Sequence, residues 1–246
     1  MKRKVLLALI AVIFLCTPLW ALTGREIMEK SDALPEPKTA DSTVLMNIYK
    51  GNDVLEKEFE MKAKKMKDDE DAIIISFIRP TQITLLTHTY KVQDDDQWLK
   101  LSSGKVKRIA STDKDKPFVN SHFYYEDLGS RDIDKFDFTL LGEGKAVGED
   151  CYKVESVKNR GTKVYDKMIL YVRKSDYFIV RIDFFKDGEF HKYMENYDIK
   201  KVKNILTPFK AVMSLADGAG KTELIMEKVD YNMDMKSSLF DKEALR

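Results

Sequence analysis

Residues 54–67, VLEKEFEMKAKKMK, place Leu55, Phe59, Met61 and Ala63 on one parity and Glu56, Glu58, Glu60, Lys62 and Lys64 on the other. Successive strand side chains point to opposite faces, so this alternation predicts a sheet with one covered and one wetted face. STVLMNIY ahead of it is rich in strand formers. DEDAIIISFIRP after it is a denser apolar run, predicting a more buried strand that ends near Pro80. QWLKL, KVKRIA, FDFTLLG, CYKVESVK, VYDKMILYV, YFIVRIDFF, EFHKYMENYD, FKAVMSLA and TELIMEKVDYN continue the series. Gly104 in LSSGKV and Asp187-Gly188 in FFKDGEF are hairpin signals, and RKSD before YFIVRI is another turn. About ten strands with short connections make antiparallel neighbours, and such a sheet curls strongly or forms part of a barrel. The predicted fold class is mainly β: a strongly bent antiparallel sheet or incomplete β-barrel with a small helical cover.

Helical signals are confined to LTGREIMEKSDALPEP. Thr23 followed three residues later by Glu26 has the spacing of a capping box, Ile27 and Met28 supply an apolar side, and Pro35 and Pro37 mark the exit. Ahead of it, Lys2, Arg3 and Lys4 precede an apolar run from Val5 to Cys16, with Ala21 as the small residue at the expected cleavage point. That is the grammar of a secretory signal, and the run is short for a spanning helix. Residues 1–21 are therefore read as a signal peptide and 22–246 as a single domain.

Charge and cysteine content narrow the function classes. The 246 residues carry 42 Lys plus Arg against 41 Asp plus Glu, and the leader holds three of the basic residues, so the mature chain is slightly acidic. That balance offers no global case for nucleic-acid binding. Cys151 alone remains after cleavage, which excludes an internal disulfide, and its strand-like context CYKVESV predicts burial. An open bent sheet leaves an apolar face for a helix, a ligand or a partner to cover. Met46, Phe59, Met61, Phe77, Trp98, Met168, Phe184 and Met226 are the large flexible or aromatic candidates for lining such a cavity, or for ordinary core.

Catalytic chemistry is poorly represented. His88, His122 and His191 are dispersed without metal spacing, and Asp94, Asp95 and Asp96 lack the pattern of a calcium loop and read as a solvated turn. There is no GxSxG elbow, phosphate loop or paired thiol. No catalytic residue, metal ligand or cofactor is assigned, and a secreted hydrolase would need acidic groups converging in a polar cleft. Lys105, Lys107 and Arg108 form a basic edge suited to a turn flank or to an acidic partner or lipid head group. In FVNSHFYYEDLGS, Phe123 and Tyr125 share one strand parity and His122, Tyr124 and Glu126 the other, predicting a packed joint with a polar rim. Arg108, His122, Tyr124 and Glu126 are the candidate rim or partner contacts, with Glu126 or Asp127 as prospective partners of Arg108.

The order WLKLSSGKVKRIASTDKDKPFVNSHFYYEDL resembles the LolA-like outer membrane lipoprotein-sorting protein family, in the branch associated with RND-type lipid exporters. Trp98, Arg108, Ile109, Phe118, Ser121, Phe123, Tyr125, Glu126, Asp127 and Leu128 carry the match. The family pattern often has Gly-Ser-Asp where this chain has Asn120, Ser121 and His122. The Cys151 strand, YVRKSDYFIVRIDFF, the Pro208 region and TELIMEKVDYN also follow the family's order. The resemblance implies a periplasmic, non-enzymatic protein whose bent sheet and helical cover enclose an apolar cavity. Lipid or acylated lipoprotein would be its cargo and an inner-membrane RND-type transporter a partner. Two roles follow: a carrier that shields acyl chains, or an adaptor subunit of such a transporter.

Overall fold

The computed structural model describes residues 22–67, 70–91, 93–129 and 131–245; the signal peptide read over residues 1–21 lies outside them. Helix α1 (Gly24–Asp32) is the one α-helix among the described residues. Thr23 Oγ1 accepts from the Glu26 amide, and the Glu26 carboxylate accepts from the Thr23 amide at 2.7 Å, which completes the capping box.

Six strands form a first meander: β1 (Thr39–Lys50), β2 (Asp53–Lys65), β3 (Glu70–Arg79), β4 (Thr84–Tyr90), β5 (Asp96–Lys100) and β6 (Val106–Arg108). Seven form a second: β7 (Phe136–Ala146), β8 (Glu149–Lys158), β9 (Lys167–Arg173), β10 (Ile179–Lys186), β11 (Glu189–Val202), β12 (Ile205–Leu215) and β13 (Gly220–Tyr231). Antiparallel pairing of β1 with β13 joins the meanders into one 13-stranded sheet with β6 and β7 at its two edges. The barrel is therefore incomplete. Strand β4 is absent from the sequence-based series because TLLTHTY mixes Thr and His into its apolar positions and blurs the contrast on which alternation depends.

Alternation sorts the sheet into two faces. On β4 and β5, Leu85 and Leu99 pair across the inner face, while Leu86 and Trp98 pair across the outer one. The outer patch is covered by the C-terminal tail through Met235, Phe240 and Leu245, so β3 is apolar on both sides, as its dense run implied. On β2, Phe59 is buried and Met61 and Ala63 are partly buried. Leu55, close to the hairpin end, is 43 % exposed.

Two elements cover the inner face. Helix α1 lies on β7 and β8, so close that a Cβ on Gly24 would stand 2.8 Å from the Leu140 backbone nitrogen; only glycine permits this approach. The rest of the cover is the segment 109–135 between the sheet's two edge strands. It is built of short 3-10 turns, with one isolated bridge between Pro117 and Tyr124. The strand parity read in FVNSHFYYEDLGS is thus replaced by a folded insert. Asn120 adopts a left-handed φ of 65°, the conformation glycine accepts most readily and asparagine tolerates.

Candidate functional site

The insert fills the half of the concave face formed by β1 to β5. Phe118 is 1 % exposed, its ring centroid 5.7 Å from Phe77 and 5.6 Å from Tyr125, and Phe77 in turn lies 5.1 Å from Phe59. Met46, Phe59 and Phe77 are buried in this cluster, with Met61 and Met226 packed against it. His122 anchors the insert's turn to β13. Its backbone amide donates to Thr222 Oγ1 at 3.0 Å, and its ring Nδ1 lies 2.8 Å from the same oxygen. Burial, reinforced by Lys50 and Lys192, holds the His122 imidazole below its ordinary pKa.

A buried charge pair latches the insert to β11. Lys192 is fully buried, and its Nζ donates to Asp127 Oδ2 at 2.7 Å and to the His122 carbonyl at 2.9 Å, above the Tyr124 ring at 3.6 Å. Asp127 also accepts from the Tyr124 amide and from the Tyr165 hydroxyl, both at 2.7 Å. Burial pulls the Lys192 ammonium below its usual pKa against the opposing pull of Asp127, and burial beside Asp127 pushes the Tyr165 phenol well up. A buried pair is tolerable only when its remaining hydrogen-bonding positions are filled, as they are here. Sequence reasoning missed Lys192, yet one signal was available: it shares the parity of inward-facing Met194 in EFHKYMENYD, a lysine in an apolar register.

The other rim candidates are dispersed. Glu126 pairs with Lys158 at 2.7 Å, and Tyr124 Oη meets His191 Nε2 at 2.8 Å. Arg108 sits exposed on edge strand β6 and pairs with its cross-strand neighbour Asp96, not with Glu126 or Asp127, because β6 lies beside β5. The three aspartates likewise form no solvated turn. Asp94 accepts from the Thr162 amide and hydroxyl, Asp95 from Lys135, and Asp96 from Arg108. Cys151 is buried, and burial pushes its thiol up. Among the described residues no group of three His, Cys, Asp or Glu could hold a metal ion.

The half of the face formed by β10 to β12 is only partly covered: Ile182 and Met213 are buried, while Ile179, Met194 and Leu206 are half-buried. Where the chain leaves α1, Leu34, Pro35 and Pro37 stand across from Ile179, Ile182, Met194, Ile205 and Leu206, with Phe178 and Tyr231 beside them, around a cavity of about 360 Å³. Arg131 lines this crevice and also a second cavity of about 30 Å³ bounded by Glu126, Asp127, Lys158, Tyr165, Met168 and Phe184. Of the eight sequence-based lining candidates, Met168 and Phe184 border the smaller cavity and none borders the larger. Trp98 faces the opposite side of the sheet.

Comparison with known proteins gives three kinds of result. A family model described as "Uncharacterized protein" matches residues 69–246. No curated protein matches the chain. Among solved structures, a DUF1329 family protein from Desulfovibrio piger is 25 % identical with a TM-score of 0.86, covering 91 % of this chain and 98 % of its own. A Vibrio parahaemolyticus domain named for outer membrane lipoprotein sorting is 25 % identical with a TM-score of 0.85, over 90 % of this chain and 97 % of its own. A LolA superfamily protein from Nitrosomonas europaea shares the fold at 17 % identity, with a TM-score of 0.72 over 91 % of this chain and all of its own.

Proposed function

Because the chain belongs to the family whose model spans residues 69–246 and is structurally homologous to lipoprotein-sorting proteins of LolA-like fold, we propose that it is a periplasmic carrier of acyl chains. The cargo is a lipid or acylated lipoprotein whose chain occupies the crevice between the exit of α1 and strands β10 to β12. The observation that carries this reading is the apolar crevice itself. Its volume of about 360 Å³ falls within the range of about 300–1,000 Å³ usual for ligand sites. Each methylene buried there contributes about 0.8 kcal/mol, so affinity follows chain length and needs neither a covalent step nor a cofactor. Residues 1–21 act as the export signal, and residues from 22 onward form the one carrier domain. A bulkier cargo would displace the insert and add Met46, Phe59, Met61, Phe77 and Met226 to the contact surface.

Native purification followed by lipid mass spectrometry tests the proposal, and intact mass reads cleavage after Ala21 in the same sample. The expected result is a co-purifying acylated molecule. After delipidation, calorimetry should give tighter binding of an acylated ligand than of its deacylated match. Equal binding of both, with no lipid in the native sample, would overturn the carrier.

One observation favours a second reading. The insert already fills the β1 to β5 half of the concave face with the chain's own side chains, as expected of an adaptor that closes on protein. The partner would then be an inner-membrane transporter of the RND type, docking on the basic edge of Lys105, Lys107 and Arg108. A lipid-free native protein that still co-purifies with such a transporter would favour the adaptor over the carrier.

A further inference from the structure

The charged side chains around the smaller cavity close into pairs, with one exception. Lys192 meets Asp127 at 2.7 Å, Lys158 meets Glu126 at 2.7 Å, and Lys167 meets Glu155 at 2.7 Å; nearby, Lys135 meets Asp95 at 3.1 Å. Arg131 makes no hydrogen bond or ion pair among the described residues and rests its guanidinium 5.9 Å from the centre of the Phe184 ring. Its side chain is exposed and forms a wall of both cavities. The carboxylates within reach are committed elsewhere. Asp127 is taken by Lys192, Tyr165 and the Tyr124 amide, and Glu126 by Lys158. The ionisable residues lining the smaller cavity are Arg131, Lys158 and Lys167 against Glu126 and Asp127, which leaves one positive charge without a counter-ion.

A solvated guanidinium without a protein partner keeps its donors free for an incoming anion. Arginine keeps its proton at any physiological pH, so the charge is permanent. Its planar fork of donors matches a carboxylate or a phosphate. On its other side begins the apolar crevice of Leu34, Ile182, Met194 and Ile205. We infer that Arg131 is the receptor for the anionic group, carboxylate or phosphate, of an amphiphile whose acyl chain lies in the crevice. This inference rests on the acyl-binding reading of that crevice and adds the head-group class to it.

Calorimetry of the delipidated full-length mature protein with dodecanoate, dodecyl phosphate, dodecanol and inorganic phosphate separates the alternatives. The wild type is expected to bind the two anionic amphiphiles about ten-fold tighter than dodecanol, the effect of one charge-assisted contact. Arg131→Gln should bring that ratio to about one while leaving dodecanol affinity in place, and Arg131→Lys should retain part of it. An unchanged ratio in Arg131→Gln, or no anion preference in the wild type, would overturn the inference and leave the acyl crevice standing. Inorganic phosphate bound as tightly as dodecyl phosphate would replace it with a free-anion site. Failure of all four probes to bind would overturn both the inference and the crevice reading beneath it. The wild-type ratio decides the matter even if a variant fails to fold.

Discussion

Beneath the insert, Phe118 is 1 % exposed between Phe77 and Tyr125, whereas beneath the exit of α1, Ile179, Met194 and Leu206 are only half-buried around a cavity of about 360 Å³. Both halves are the inner face of the same sheet, and both present apolar side chains by the same alternation. They differ in the cover. The insert sends Phe118, Tyr125 and Leu128 down onto β1 to β5 and is latched by Lys192 and Asp127, while α1 has only nine residues and its apolar side is consumed on β7 and β8. A sheet this wide needs more cover than one short helix provides, and the portion past Pro35 and Pro37 keeps a cavity.

The largest effect expected from breaking this contrast is at the latch. Lys192→Met leaves Asp127 buried without its cation, and loss of one partner of such a pair costs about 3 to 5 kcal/mol. Denaturant unfolding measures it; a loss below about 1 kcal/mol would mean that the insert is held by apolar packing alone.

Truncation sharpens the difference between the halves. Phe118→Ala should cost about 3 to 4 kcal/mol because the filled half cannot collapse around the void. Leu206→Ala, on the wall of a space already open, should cost less than about 1 kcal/mol in stability but weaken binding of an acylated ligand. Unfolding midpoints together with calorimetry on the two variants test this, and equal stability losses would erase the distinction.

The smallest effect concerns protons. Burial holds the imidazoles of His122 and His191 below the ordinary value of 6.5. Between the depressed pKa and 6.5 the unfolded chain binds more protons than the folded one. The contribution of these groups is therefore complete above 6.5 and is lost as pH falls below it. His122→Gln should flatten the decline in unfolding free energy on acidification through that window. A variant profile as steep as the wild type's would remove His122 from the account.

Much of this architecture was legible in local patterns. The capping box at Thr23 and Glu26, the hairpins at Gly104 and Asp187-Gly188, and the burial of Phe59 on β2 each depend on residues within a few positions of one another. The parity of FVNSHFYYEDLGS misled for a physical reason. Alternation in an aromatic-rich segment is equally compatible with turns whose rings point into a ready-made apolar floor. Val119, for example, accepts a φ of 46°, a strained conformation for a β-branched residue, while packed against that floor.

The identity of every strand but β4, the antiparallel order and the shortage of helix follow from the sequence by itself, because side-chain alternation, capping and turn chemistry act between near neighbours in the chain. Which half of the apolar face is filled and which keeps a cavity was decided only in the folded molecule. Lys192 finds Asp127 across 65 positions, Trp98 turns out to face the C-terminal tail, and Arg131 is left without a counter-ion between two cavities. These outcomes depend on how a curved sheet brings distant segments together, and no periodicity within one strand encodes that distance.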